Sequence, residues 1–313
     1  MCARSLRLAP WLWLLVSLGL LGAGCGAGSD TSSGSTARSS GAEEASAGPR
    51  LVRVSDEDTT VYLFGTVHLL HPSTQWMDER VARAFDASSA VYFEVPTDPQ
   101  AMAPHMPLLQ QLAMNPPGVT LSSLLTPEIR AHTEAVCARV GVPYAQLEPM
   151  RPWLASITLA MAMITQRGAD PGAGVDRTLA ARAESDGRAI RYLEEIPTQL
   201  HAIGDLPDAL QVELLGQSLD EVDEQAAHFD EMVAAWQRGD TSYLEHELVD
   251  EMRTEAPELY ESLLVRRNHA WVEVIAALMA SEPGTFFVAA GAAHFVGPDA
   301  VQSGLAARGL RVE

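Results

Sequence analysis

The sequence predicts an α/β (α+β) fold, in which helices cover a mixed β-sheet and a large helical insertion interrupts it. Four short runs have the apolar and aromatic composition of strands: YLFG, VYFE, IRYLE and FFVAAG. Helical segments separate these runs along the chain, which favours parallel crossover connections. The first, second and last runs are apolar nearly throughout, as expected for strands of a sheet that is covered on both faces.

The N-terminal part of the domain combines strands with one helix. A turn at Asp56–Asp58 follows the first strand, and residues 97–120, rich in proline and methionine, predict an irregular crossing. The elements expected before that crossing are strands at Leu51–Val54 and Val61–Val67, a helix around Met77–Ala87 and a strand at Ala90–Val95.

The middle of the chain is expected to be almost wholly helical. Apolar residues recur at three- and four-residue steps in TPEIRAHTEAVCARVGV, RPWLASITLAMAMITQRG and GVDRTLAARAESDG. A short strand is predicted at Ala189–Leu193, and further helices from about Pro197 to Ala280. The end returns to the opening pattern, with a strand at Thr285–Ala289, a helix over AVQSGLAARG and a closing strand in LRVE.

Residues 1–25 are predicted to be a secretory signal. Arg4 and Arg7 precede an apolar run from Leu8 to Leu21, which is short for a membrane span and is followed by small residues. A transmembrane anchor is the competing interpretation. Cys25 closes the sequence LGAGC, which resembles a bacterial lipoprotein cleavage box, so Cys25 is the predicted lipidation site.

Residues 26–48 predict a flexible linker, because they contain no large apolar side chain that could offset the entropy of ordering. Residues 49–313 then form one domain, large enough for a substantial core. Cys2 and Cys25 fall in the leader, which leaves Cys137 as a single buried thiol without a disulfide partner.

The charge of the chain excludes two classes of partner. The formal net charge is −20, and all 21 basic residues are arginine. Nucleic acid and anionic lipid both require a basic surface, so neither is an expected partner. Membrane contact is expected only through the N-terminal lipid, and the oligomeric state stays open.

Two histidines share one local pattern, Gly-x-x-His after an apolar run. His68 ends GTVH after YLF, and His294 ends GAAH within FFVAAGAAH. Glu94 ends VYFE, and Glu194 ends the sequence IRYLE. Ligands of parallel sheets gather beyond the carboxyl ends of the strands, so these four side chains are expected at one edge.

Two imidazoles with carboxylates form a usual ligand set for a divalent cation such as Mn, Co, Fe or Zn. His68, His294, Glu94 and Glu194 are therefore the predicted metal ligands. The metal would lower the pKa of a bound water, and Glu94 could take its proton. No Gly-x-Ser-x-Gly elbow, P-loop or dinucleotide fingerprint is present, which argues against serine hydrolase, NTPase and oxidoreductase classes.

Five segments, in order along the domain, resemble the motif blocks of the TraB/GumN family, which includes the Tiki metalloproteases. They are YLFGTVHLLHP, VYFEV, GVDRTLAARAESDGRAIRYLEEIPTQL, LLVRRNHAWVEVI and FFVAAGAAHFVGPDAVQSGLAARGLRVE. The resemblance implies a bacterial, exported, divalent-metal-dependent hydrolase of the peptidase type, acting in the cell envelope on a peptide or protein substrate.

The resemblance also implies roles for particular residues. His68 and His294 would lie in the metal site, and Glu94 would be a ligand or the general base. Arg267 and Asn268 match the block whose polar side chains face the same pocket, where an arginine could stabilise an oxyanion. Two alternatives stay open: an exported binding protein that sequesters a peptide or haem-like ligand, and a structural lipoprotein with a hydrogen-bonded polar core.

Overall fold

The computed structural model describes residues 48–220 and 222–313. The predicted signal at residues 1–25, the lipidation site Cys25 and the linker up to residue 47 lie outside the described residues. Six strands are present in the described part: β1 Leu51–Ser55, β2 Thr59–Thr66, β3 Ala90–Phe93, β4 Ala189–Tyr192, β5 Gly284–Gly291 and β6 Arg311–Val312.

These strands form one mixed sheet in the order β4-β3-β5-β2-β1-β6. The four strands β4, β3, β5 and β2 are mutually parallel, whereas β1 runs antiparallel to both β2 and β6. The predicted mixed sheet with parallel crossovers and a long helical insertion is therefore confirmed.

Helices supply most of the remaining chain. The α-helices are Glu79–Ala87, Pro99–Met102, Met106–Ala113, Leu121–Leu124, Pro127–Val140, Tyr144–Leu147, Pro152–Gln166, Val175–Ser185, Ile196–Gly204, Asp208–Asp220, Val222–Gln237, Thr241–Glu245, Glu251–Glu255, Pro257–Tyr260, Arg266–Ser281 and Val301–Ala307. The 3₁₀ turns are Ala103–His105, Pro171–Ala173 and Ala292–Phe295, and the π-helical turns are His246–Asp250 and Glu261–Val265.

The expectation of an irregular crossing at residues 97–120 is wrong. This segment holds the helices Pro99–Met102 and Met106–Ala113. The Asp98 side chain caps the first helix by accepting from two backbone N–H groups, and a proline lies in the first turn of each helix. Proline is tolerated there because the first-turn N–H groups have no partner within the helix.

The sheet separates two apolar layers, as its strand composition predicted. Along β5, Phe287 and Ala289 point into the larger cluster beneath the helical insertion. Phe286, Val288 and Ala290 point to the opposite face, where helices Arg266–Ser281 and Val301–Ala307 pack. This two-residue alternation follows from strand geometry, and burial on both faces explains why β5 is apolar throughout.

The expectation for Cys137 and the membrane-span finding can be stated for the described residues. Cys137 is a buried free thiol, and burial raises the pKa of this thiol to about 11. In the part of the chain that the structure describes, no helix has the length and hydropathy needed to cross a membrane.

We expect Phe287→Ala to lower the free energy of unfolding by about 3–5 kcal/mol, because it empties a fully buried site. The Phe287 ring packs 5.8 Å from the Phe64 ring and 5.4 Å from the Phe85 ring, measured between centroids. Urea unfolding followed by circular dichroism measures the change. The control is Met106→Ala at a side chain that is 49% exposed, which should change the same quantity by about 0.5 kcal/mol or less.

Candidate functional site

The candidate site lies at the edge where the parallel strands β2, β5, β3 and β4 end. Thr66 of β2 pairs with Gly291 of β5, and the other two strands share the same direction. His68, Glu94, Glu194 and His294 each follow one of these strand ends, as the sequence predicted.

The main chain around His68 is fixed by the start of a distant helix. The backbone N–H of Val175 donates to the carbonyl of Val67 at 2.9 Å. A Cβ atom on Gly174 would lie 2.3 Å from the His68 carbonyl oxygen, so only glycine permits this approach. The contact brings Asp176, in the first turn of that helix, against the His68 ring.

His68 and Asp176 form a hydrogen-bonded pair. His68 Nδ1 lies 2.5 Å from Asp176 Oδ2, and Thr66 Oγ1 donates to Asp176 Oδ1 at 2.7 Å. Because an ionised carboxylate only accepts, Nδ1 carries the proton and Nε2 of a neutral His68 presents a lone pair. Burial lowers the pKa of His68, but the Asp176 and Glu94 carboxylates outweigh burial and raise it above its ordinary value.

Glu94 is buried, and three donors fix its carboxylate. Oε1 accepts from the backbone N–H of Gly291 at 2.7 Å. Oε2 accepts from Arg267 Nη2 at 2.7 Å and from Gln199 Nε2 at 3.0 Å. A Cβ on Gly291 would lie 3.3 Å from Glu94 Oε1 and 3.4 Å from His68 Nε2, so these two atoms converge on the space beside that glycine.

Arg267 lies at the centre of a polar cluster that it forms with Glu94, Glu194 and His294. It uses all five of its N–H groups. Nε donates to Glu194, and Nη2 donates to Glu194 Oε1 at 2.6 Å as well as to Glu94. Nη1 donates to the carbonyl of Leu263 at 3.0 Å and lies 3.2 Å from His294 Nε2. The guanidinium therefore has no remaining donor for a substrate in this arrangement.

His294 is held as a neutral imidazole. Asn268 Nδ2 donates to the carbonyl of Asp299, which leaves Asn268 Oδ1 to accept from His294 Nδ1 at 2.5 Å. His294 Nε2 then accepts from Arg267. Burial, followed by the charge of Arg267, lowers the pKa of His294 to about 3.

The two carboxylates beside Arg267 have different pKa shifts. Burial raises the pKa of Glu94, but Arg267, both histidines and the Gly291 N–H outweigh burial and bring the pKa below its ordinary value. Burial raises the pKa of Glu194, and the negative charge of Glu94 adds to that rise. Arg267 lowers the pKa of both carboxylates, but at Glu194 burial outweighs this effect.

Two small cavities meet at His68. One of about 90 Å³ is lined by His68, Glu94, Asp98, Asp176, Glu184 and Tyr192, among others. The other, of about 30 Å³, has Gly291 and Trp236 in its wall. A larger cleft of about 670 Å³ lies behind helix Ile196–Gly204 and touches the cluster only at Arg267, so the His68 cavities carry the candidate chemistry.

Comparison with known proteins assigns the family. The model of the TraB/PrgY/gumN family matches residues 51–313. The chain belongs to this family. Among curated relatives, metalloprotease TIKI2 of Danio rerio is 25% identical over 305 residues, covering 80% of this chain and 58% of the relative. Metalloprotease TIKI1 of Danio rerio is 26% identical over 310 residues, covering 82% of this chain and 61% of the relative.

The chain thus spans about three fifths of the length of these family members. No solved structure matches it.

The names of these relatives imply a metal, but the donors described here do not fit one. Among the residues that the structure describes, no three His, Cys, Asp or Glu side chains are grouped as metal ligands. Nε2 of His294 and both Glu194 oxygens accept hydrogen bonds from Arg267 or Trp271. Within the described part of the site, His68 Nε2 and Glu94 Oε1 are the two donor atoms that converge beside Gly291, whereas catalytic metal centres commonly use three protein ligands.

The structure brings the predicted metal ligands and catalytic residues to one edge, but it places them in two groups. Glu94, Glu194 and His294 surround Arg267, Asn268 bonds to His294, and His68 pairs with Asp176. The ligand and catalytic roles predicted for them stay predictions. Sequence reasoning gave no role to Asp176 or Gln199. An acidic residue in a first helical turn suits the helix dipole without any ligand, so its type alone is a weak signal.

The state of His294 predicts a pH dependence of stability. The unfolded chain binds a proton near pH 6.5, whereas folded His294 does so only near pH 3. Between these values the unfolded state binds more protons, so stability is lost as pH falls, by up to about 1.4 kcal/mol per pH unit. His294→Gln should remove this contribution. Urea unfolding of both proteins from pH 7.5 to 4.5 measures it, and a constant difference between them would contradict it.

Proposed function

We propose that the protein is a hydrolase that cleaves peptide bonds at the cavity beside His68. The observation that carries the proposal is the convergence of His68 Nε2 and Glu94 Oε1 beside Gly291, with Asp176 holding the far side of the imidazole. A histidine fixed by a carboxylate, with its other nitrogen open, is the arrangement that general-base catalysis uses.

In the proposed reaction, a water molecule lies between His68 Nε2 and Glu94 Oε1. The cavities at His68 enclose about 90 and 30 Å³, which is enough space for a water molecule. His68 Nε2 takes a proton from this water as its oxygen attacks the carbonyl carbon of the peptide. The same proton passes to the leaving nitrogen when the C–N bond breaks, which yields a carboxylic acid and an amine.

The carboxylates have positioning roles in this scheme. Asp176 holds the His68 ring through Nδ1 and stabilises the imidazolium that forms when Nε2 takes the proton. Glu94 has one lone pair left on Oε1, which can accept the second hydrogen of the water. Arg267 keeps Glu94 ionised and in place, and Asn268 holds His294.

The cavity wall and the similarity to metalloproteases support a peptide substrate. Asp98 and Glu184 lie near the partly exposed ring of Tyr192. Burial is the main cause of the raised pKa of the Tyr192 hydroxyl, and the two carboxylates raise this pKa further. Their negative charge favours a basic or neutral peptide over an acidic one. The predicted signal and the predicted lipidation of Cys25 would place this activity in the cell envelope.

We expect His68→Ala to reduce the rate of hydrolysis by about 10²- to 10⁴-fold, because it removes the base. Asp176→Ala should also reduce this rate, because it leaves the base misaligned. The full chain is incubated with a peptide library, and products are identified by mass spectrometry. His71→Ala is the matched control, because His71 is an exposed histidine close in sequence whose side chain bonds to Ser73. Equal turnover in His68→Ala and in the wild type would rule out His68 as the base.

The assay is run with chelator and with Mn, Co, Fe or Zn added singly, because metal dependence is a prediction drawn from the family. Binding of a peptide or of haem without turnover under every condition would favour the alternative of a binding protein.

Gly291→Ala offers a second test of where the water lies. Its backbone angles, φ −49° and ψ 136°, are open to alanine, so the fold should tolerate the change. The added methyl would occupy the space between Glu94 Oε1 and His68 Nε2. We expect kcat/KM to fall by about tenfold or more while the melting temperature changes little, since small displacements of reacting groups are costly. Unchanged kcat/KM would place the reaction elsewhere.

A further inference from the structure

The buried cluster contains a permanent cation of its own, the guanidinium of Arg267. This side chain is 5% exposed, and its charge lies within 2.7 Å of Glu94 and 2.6 Å of Glu194. An arginine remains protonated even when buried, so the two carboxylates face a positive charge in every folded molecule.

Arg267 also occupies the lone pairs that a metal would need. Its donors are directed at Glu94 Oε2, at both oxygens of Glu194 and at Nε2 of His294. These are three of the four residues that the sequence predicts as metal ligands. A divalent cation bound to them would have to displace the guanidinium and would be repelled by it at short range.

The arginine is held so that it cannot easily move away. Leu263, in the π-helical turn that precedes its helix, accepts from Nη1, and the guanidinium carbon lies 4.8 Å above the Trp271 ring. Rotating Arg267 out would leave two carboxylates buried without a partner, which is strongly unfavourable.

We propose that Arg267 is a positioning residue that serves as the resident cation of this site, in the place where the sequence predicts a divalent metal. The proposal goes beyond the proposed hydrolysis, because it concerns how the cluster is neutralised and can be tested without any substrate. It predicts that the full-length wild-type chain holds no stoichiometric metal at Glu94, and that removing the guanidinium creates a metal site.

The test compares Arg267→Ala with two controls. Arg266→Ala removes the neighbouring arginine, which is exposed and paired with Glu261 at 3.8 Å. Arg267→Lys keeps a positive charge in the cluster. Each full-length protein is dialysed against Zn²⁺, Mn²⁺, Co²⁺ or Fe²⁺, and bound metal is counted by mass spectrometry while thermal unfolding is followed by circular dichroism.

We expect about one equivalent of metal in Arg267→Ala, together with a metal-dependent rise in melting temperature, and neither change in the wild type or the two controls. Adding His294→Ala to Arg267→Ala should abolish the bound metal. A folded Arg267→Ala protein that binds no metal would overturn the proposal. If Arg267→Ala does not fold, the metal content of the wild type decides. One equivalent of metal in the wild type that is lost in Glu94→Gln overturns the proposal. A wild type without such an equivalent supports it.

These outcomes are distinguishable from failure of the proposed hydrolysis. Metal content and unfolding are measured without peptide, so an inactive protein can still confirm the role of Arg267. Conversely, the wild type could hydrolyse peptides and hold one equivalent of metal, with both properties lost in Glu94→Gln. That result would retain the proposed reaction class and refute the role of Arg267.

Discussion

The burial of Arg267 between two glutamates is the interaction on which the rest of the candidate site depends. Its acceptors come from separate parts of the chain: the ends of β3 and β4, the turn after β5 and the π-helical turn Glu261–Val265. A buried arginine is stable only when all its donors are satisfied, so these elements must meet at one point. The ion pairs are therefore a geometric constraint that fixes the edge of the sheet, whatever their net contribution to stability.

Most of the sheet could be predicted from the sequence, because the apolar pattern of a buried strand lies within a few consecutive residues. Runs such as FFVAAG are apolar at every position, which identifies a strand buried on both faces, and the glycines in the last two residues of β2 and β5 lie where these strands end. The crossing at residues 97–120 was not predictable in the same way. Pro99, Pro104 and Pro107 would usually signal irregular structure, but they occupy first helical turns, where proline is tolerated. The cap by Asp98 is the sequence feature that indicates the first of these helices.

The sequence predicted where the site lies, but not which hydrogen bonds and ion pairs its side chains form. The carboxyl-edge rule places His68, Glu94, Glu194 and His294 together from strand order alone. Which atoms face one another depends on side chains from distant helices, above all Arg267 and Asp176, and the sequence does not show which acceptors or donors these side chains meet. The sequence-based prediction of a metal site counts possible ligands by residue type. Metal binding, however, requires lone pairs that are free, and here Arg267 uses most of the lone pairs of the predicted ligands.

The two Gly-x-x-His sequences show how one local pattern leads to opposite chemistry. In both, the glycine lies at or next to the last residue of a strand, and the histidine three residues later reaches the carboxyl edge. His68 Nδ1 meets the carboxylate of Asp176, which outweighs burial and raises the pKa of the ring, while Nε2 is left to act on a water. His294 meets an amide oxygen and a guanidinium, and burial together with that positive charge lowers the pKa of its ring to about 3. Under the proposed mechanism one imidazole transfers the proton and the other stays neutral beside Arg267, so the repeated pattern encodes a shared position at the sheet edge and the surrounding residues determine the role.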